Sequence, residues 1–280
     1  MLLARIGAAL LLAAATATEE SRIVDWLQQM QSRDGLVRAR AARSLGTLAD
    51  PRATSALAGA VADDDGAVRL SAVQALHGPL TLADADTRAV DALIKALSDR
   101  DAEVRAAAAD SLDAPNASAR KALPALVSVL ADSNPEVAKA ALLTLGSIGD
   151  ATVFDAIASL LGAPDPGLQS AAAQALGEMG DKRAVDPLLK ALAADGEGLR
   201  AAAALALGMI GEPRSLPALL TLLKSDAAPR VRAKTARGLG RKAWGEAVVA
   251  PLEAAARSDS EPLVRAAARQ ALESLRKSQR

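Results

Sequence analysis

Cysteine is absent from the 280 residues. That excludes thiol catalysis, disulfides and Cys-ligated metal centres. It leaves the compartment open, because a chain without thiols is safe in either redox setting. Histidine occurs once, as His77. A Ser-His-Asp triad would have to use it, and nothing around it suggests an activated serine. A single histidine at a helix end is ordinarily structural or solvated. Aromatic residues make up 1% of the chain: Trp26, Phe154 and Trp244, with no tyrosine. So few rings, so far apart, give no platform for stacking nucleic-acid bases. No Gly-x-Gly-x-x-Gly loop is present to cradle a phosphate. Net formal charge is zero, so no global field selects nucleic acid or an acidic substrate.

What is present is aliphatic. Apolar residues reach 51%, mostly Ala, Leu, Val and Ile. Ala and Leu favour helix, and small Ala lets helix axes approach closely. Charge is unevenly spread. Residues 227–280 hold 12 Lys and Arg against 5 Asp and Glu, while the preceding residues hold 21 against 28.

The N-terminus differs from the rest. Arg5, the uncharged run Ile6 to Ala15, the small-x-small triplet Ala15-Thr16-Ala17 and then Glu19-Glu20 have the layout of a secretory signal peptide over residues 1–17. A helix of that run rises only ~18 Å, short of the ~30 Å hydrocarbon core, so no permanent membrane span is expected. The competing reading is an N-terminal capping helix of a cytoplasmic protein.

From about residue 19 a repeat runs to the C-terminus. Ile23, Trp26, Leu27 and Met30 lie on one helical face, Asp34-Gly35 breaks the pattern, and Val37, Ala41, Leu45 and Leu48 mark a second helix. Each later unit has the same two runs. The second opens on an apolar anchor: Val37, Val68, Val104, Val137, Leu168, Leu199, Val231 and Val264, spaced by 31, 36, 33, 31, 31, 32 and 33 residues. Leu stands eight residues after every anchor. Ala stands four after all but Val231, where Thr235 replaces it. An Asp recurs between the two helices of each unit, as at Asp34, Asp63, Asp99, Asp165 and Asp226, where it suits a helix N-cap. The glycines of Gly149-Asp150, Gly180-Asp181 and Gly211-Glu212 are placed to end second helices in a left-handed cap. The carboxylates therefore recur with the repeat period as caps, not as catalytic pairs. The units expected are about 19–48, 51–77, 87–112, 118–148, 151–180, 183–211, 214–242 and 245–277. Two places are irregular: an inserted loop over residues 78–86, and Asp113-Ala114-Pro115-Asn116, where a cap glycine is missing and Asn116-Ala117-Ser118 matches a glycosylation acceptor.

Val104-Arg105, Leu176-Gly177 and the run Gly180-Asp181-Lys182-Arg183-Ala184-Val185-Asp186-Pro187-Leu188 make this chain similar to HEAT repeat proteins, specifically the short repeats named after phycobilisome lyases. The resemblance covers residues 19–280. It implies an all-α fold: an α-solenoid of about eight antiparallel helix pairs stacked in a right-handed superhelix, with second helices lining a concave groove. No pair can bury its own apolar face alone, so the units must stack. The resemblance also implies a ladder in which the Arg after each anchor meets an Asp along the stack. Arg38, Arg69, Arg105, Arg200, Arg232 and Arg265 fit; Ala138 and Gln169 depart, so stacking is expected to be weakest over residues 137–170. HEAT-like di-iron hydroxylases need several His-Glu pairs, and HEAT-like DNA glycosylases need an aromatic cradle; this chain has neither. Neither a cofactor nor a metal is expected, and no catalytic residue is assigned.

Helical geometry separates the core positions, at offsets 0, +4, +8 and +11 from the anchor, from a second arc at +2, +3, +6 and +10. These latter positions are expected to line the groove. Unit four offers Leu143 and unit five Gln174. Unit six is apolar, with Ala201, Leu205 and Met209. Unit seven is basic, with Lys234, Arg237 and Arg241. An apolar floor beside a cationic wall suits a protein or peptide carrying apolar and acidic residues. The expectation is a non-enzymatic binding scaffold or adaptor, exported to the periplasm of a bacterium. The alternative is a cytoplasmic HEAT-like subunit or chaperone of a modifying enzyme, similar to a bilin lyase. A nucleic-acid partner through the basic last two units is not expected.

Overall fold

The computed structural model describes residues 20–48, 50–80, 87–113 and 119–278. The signal-peptide layout, most of the inserted loop and the Asn116 triplet lie outside these residues. Among the described residues every regular element is a helix. The chain forms two compact units, residues 1–125 and 126–280.

The first unit begins with α1, residues 20–29. Its inner face buries Ile23 and Met30, and the Arg22 guanidinium lies 4.7 Å from the Trp26 ring. Then come α2 (Gly35–Leu45), α3 (Pro51–Ala60), α4 (Gly66–Ala75), the single turn α5 (His77–Leu80), α6 (Thr87–Ala96) and α7 (Ala102–Ser111). Helix α8 (Leu123–Ser128) crosses the division. The second unit continues with α9 (Pro135–Ile148), α10 (Phe154–Ser159), α11 (Pro166–Met179), α12 (Val185–Ala191), α13 (Glu197–Ile210), α14 (Leu216–Ser225), α15 (Pro229–Leu239), α16 (Val249–Ser258) and α17 (Pro262–Ser278). Within each unit the second helices pack side by side, α2 on α4 on α7, and α9 on α11 on α13 on α15 on α17. The first helices pack on their own second helices.

The periodic residues explain this packing. Leu45, Leu76, Leu112, Leu145, Leu176, Leu207 and Leu239, each eight after an anchor, are fully buried; Leu272, in the last repeat, is half-buried. The Ala four after the anchor is equally buried, and Thr235 replaces it by turning its hydroxyl onto the Val231 carbonyl at 2.8 Å. Gly149, Gly180 and Gly211 end α9, α11 and α13 at φ of 66°, 66° and 70°. Only glycine adopts that conformation without cost.

A second glycine motif is steric. Nine residues after the anchor, Gly146 and Gly177 stand where a Cβ would come within 2.7 Å of the backbone of Ala175 and Ala206 on the next second helix. Gly46, Gly208 and Gly240 occupy the same position.

The Asp positions have two distinct jobs. Three residues before the anchor, Asp34, Asp65, Asp101, Asn134 and Asp165 cap the second helix, accepting from its first free N–H groups. Five residues before the anchor, Asp63, Asp99, Asp226 and Asp259 bind instead the Arg of the preceding repeat. Arg38, Arg69, Arg200 and Arg232 each donate from Nε and Nη2 to both carboxylate oxygens at 2.8–3.2 Å. Nη1 of each donates to a carbonyl six residues back. The Asp carboxyls sit below their usual range. For Asp63 and Asp259 the Arg bond dominates. For Asp99 and Asp226 burial pushes upward, and the Arg and backbone N–H bonds together outweigh it.

The two repeats that lack the Arg also lack its carboxylate. Opposite Ala138 the five-before position is Ala163, and opposite Gln169 it is Ala194. Ala138 and Ala163 are both buried. Gln169 keeps the inner half of the clamp, donating from Nε2 to the Ala163 carbonyl at 2.7 Å. No charge is left stranded.

Candidate functional site

The second-helix face of the second unit carries a cleft of about 300 Å³. Its floor is made of small residues from α11 and α13, including Gly167, Ser170, Ala171, Gly198 and Ala202, with Leu205 and Met209 further along α13. Lys139 and Leu143 of α9 bound one side, and Arg230 and Lys234 of α15 the other. The floor is low because both helices open on Gly at the position before the anchor. At Gly167 a Cβ would lie 2.8 Å from Lys139 Nζ, so the glycine gives that lysine room to cross α11. Lys139 is held there by Glu136 at 2.7 Å.

Leu143, Gln174, Leu205, Met209 and Lys234 therefore share one cleft, as does the edge of Ala201. Leu143 is 37% exposed, unusual for a large apolar side chain of this chain. Arg237 and Arg241 lie beyond it, around a second recess of about 600 Å³ with Gln270 and Ser274 of α17. Ala201 contributes little surface to the cleft. It is 3% exposed, as Ala39 and Ala233 are at the same offset. A second helix here has neighbours on both flanks and a first helix behind. At Ala39, Ala201 and Ala233 the covered arc takes in offset +2, whereas Lys139 and Ser170 at that offset face the cleft.

The basic residues of α15 divide by face. Arg232 is spent on Asp259. The side chains of Arg230, Lys234 and Arg237, and of Arg241 two residues beyond the end of α15, make no ion pair or hydrogen bond among the described residues. For Lys234, Arg237 and Arg241 this separation was readable in the sequence from the offsets; Arg230, one before the anchor, was not among them. The small-residue floor was not, because Gly and Ala recur in every repeat and only stacking shows which of them meet at a surface.

A further recess of about 460 Å³ lies on the first-helix side, between α14 and α16, lined by Leu220, Leu223, Pro251 and Ala254. The preceding turn, residues 242–248, contains Gly245 at φ 56°. Among the described residues no group of three or more His, Asp or Glu is placed to hold a metal ion, and no helix is long and apolar enough to cross a membrane.

Paired helices stacked side by side through an apolar seam define an α-solenoid. Five matches to the HEAT repeat model, over residues 4–77, 23–112, 123–208, 154–240 and 195–273, span most of the chain. The protein belongs to the HEAT repeat family. The first match begins inside the stretch that reads as a signal peptide. No curated protein matches the chain. Among solved structures it is similar to the complex of CpcE and CpcF of phycocyanin lyase from Nostoc sp. PCC7120, with 26% identity over 89% of this chain and 93% of that one, TM-score 0.49. It is also similar to Escherichia coli YibA, 19% identical over 89% and 91%, TM-score 0.55. Yeast importin-β, Kap95p, is 16% identical, over 92% of this chain and 40% of that one, TM-score 0.65. The last two likenesses are likenesses of fold.

Proposed function

We propose that this protein is a non-enzymatic binding scaffold or adaptor that holds a protein or peptide partner against its second-helix face, and that it works after export to a bacterial periplasm. The observation that carries the reading is the cleft across α9, α11, α13 and α15. It combines a low apolar floor with unpaired cations, and no convergent acid–base or nucleophilic set accompanies it. Interfaces of this kind draw affinity from apolar anchors in a desolvated centre and specificity from charge at the rim.

The test is crosslinking of the tagged protein in its native cells, followed by identification of what is captured. Replacing Leu205 with Asp and Arg237 with Glu should abolish capture and leave the thermal melting curve nearly unchanged, since both side chains are solvent-accessible. Capture that survives both substitutions overturns the proposal. Export is tested separately by mass analysis of the N-terminus: a start near Thr18 supports it, and an intact Met1 supports the cytoplasmic subunit instead.

A further inference from the structure

Resting on that binding surface, we infer that its partner segment is an acidic amphipathic helix that lies lengthwise along α15. Arg230, Lys234 and Arg237 stand at i, i+4 and i+7 of α15, and Arg241 follows in extended backbone just beyond the helix end. At 100° per residue the three helical positions fall within an arc of about 60°, and the stripe they form is about 10 Å long. Arg232, on the same helix, points about 180° away from that stripe and is neutralised by Asp259. The two faces of α15 thus differ in kind: one cation is consumed in holding the stack, and three, with Arg241 beyond the helix end, have no side-chain partner among the described residues.

An unpaired row is costly to the free protein. Neighbouring like charges at i, i+3 and i, i+4 weaken a helix. Elsewhere this chain pairs many of its surface cations, as in Arg52 with Glu20 and Asp50, Arg183 with Asp181, and Lys121 with Asp91. No carboxylate of α13 or α17 is paired with the stripe. Gln270 and Ser274 are what α17 presents beside Arg237 and Arg241, and the α13 side offers Leu205 and Met209. The surface is therefore cationic along one line and apolar along the line beside it.

A helix matches both lines. Two helices side by side share one rise per residue, so carboxylates at i, i+4 and i+7 meet the three cations of α15 without losing register, and one at i+11 reaches toward Arg241 beyond the helix end. Apolar residues on the adjoining stripe of the same helix then face Leu205 and Met209. Charge-assisted contacts to Arg and Lys set the register, and the apolar line excludes water.

The probe is a fluorescein-labelled synthetic helical peptide of about 16 residues, long enough to cover the stripe, with Glu at i, i+4, i+7 and i+11 and Leu on the adjoining stripe. Fluorescence anisotropy should show saturable binding to the full chain, weakening as salt is raised. Exchanging its Glu residues for Gln, or making K234E with R237E in the protein, should each weaken binding about tenfold or more. The milder pair K234Q and R237Q, checked by circular dichroism, guards against misfolding and should give a smaller loss in the same direction. Equal binding of the Gln peptide, or no effect of the charge reversals in a folded protein, overturns the inference. So does a single-stranded oligonucleotide that displaces the peptide and binds more tightly. Should the peptide not bind while L205D still abolishes crosslinked capture in cells, the acidic helix is wrong and the binding surface stands. Should L205D and R237E leave capture intact, the surface itself is wrong.

Discussion

Repeats two and seven are each bolted to the next repeat by a buried Arg–Asp fork; the junctions from repeat four to five and from five to six are not. In the bolted repeats the pairs are nearly sealed from water: Arg69 and Asp99 are 5% and 9% exposed, Arg232 and Asp259 11% and 10%. In the unbolted ones the equivalent positions are Ala138 with Ala163, and Gln169 with Ala194. Both ways of joining work because each is complete. A buried fork repays its desolvation only when both charges and their remaining hydrogen bonds are present. An apolar pair of similar fit costs nothing to desolvate. The middle repeats also have long second helices of 14 residues, left-handed glycine caps and the close Gly146 and Gly177 approaches. A softer joint over residues 137–170, expected from the missing arginines, is therefore not what this packing describes. Lost ion pairs are matched by lost carboxylates, and helix contact continues through the gap.

The sharpest way to break this comparison is to leave one rung half-made. Arg69→Met should cost about 3 kcal/mol or more, because Asp99 then stays buried without its partner. Adding Asp99→Leu should recover most of that loss. Urea denaturation of the two variants decides it, and an equal loss in both would mean that the rung does not act as a pair. Next in size, Gly177→Val should cost about 2–3 kcal/mol by forcing α11 from α13, although no charge is touched. A loss below that of an exposed substitution would show that the middle repeats are not held by close approach.

Acid should separate the two kinds of joint again. Asp63, Asp99, Asp226 and Asp259 have carboxyls held below the unfolded value of about 3.9. Their contribution is fully present above that value and is lost as pH falls through the lower folded-state values. Hydrogen exchange, corrected for intrinsic rates, should show α15 losing more protection than α11 between about pH 6 and pH 3. Equal loss would argue against the ladder as the source of acid sensitivity. The smallest effect is a gain. Gly59 sits inside α3 with open space where a Cβ would go, so Gly59→Ala should stabilise by about 0.5–1 kcal/mol, raising the urea midpoint.

Much of the fold was legible because the repeat averages out local ambiguity. A Leu eight after every anchor is a core position in any one unit and a solenoid seam in eight. The left-handed caps at Gly149, Gly180 and Gly211 were equally plain, since Gly-Asp after a helical run has few other uses. The Asp residues were harder. Grouped as caps, they hide that Asp65 caps while Asp63 bridges, two residues apart with opposite obligations. Counting from the anchor separates them, but only the coordinates show which carboxylate an arginine reaches. In the candidate site, Leu143, Gln174, Leu205, Met209 and Lys234 were placed on one face by helical angle alone. Ala201, nearly buried, reaches that face only by its edge, because a single-helix wheel cannot register a neighbour on each flank.

The paired rungs also impose a grammar on the order of repeats. Each junction needs the residue after one anchor and the residue five before the next to agree. Excising repeat six would set Gln169 against Asp226, and excising repeats five and six would set Ala138 against the same carboxylate. Either splice buries an acid that nothing answers. Removing repeats four to six together joins Arg105 to Asp226 and restores a complete fork. Losing repeats four to six together is thus safer than losing repeat six alone, a rule written in two columns of side chains and invisible in the backbone.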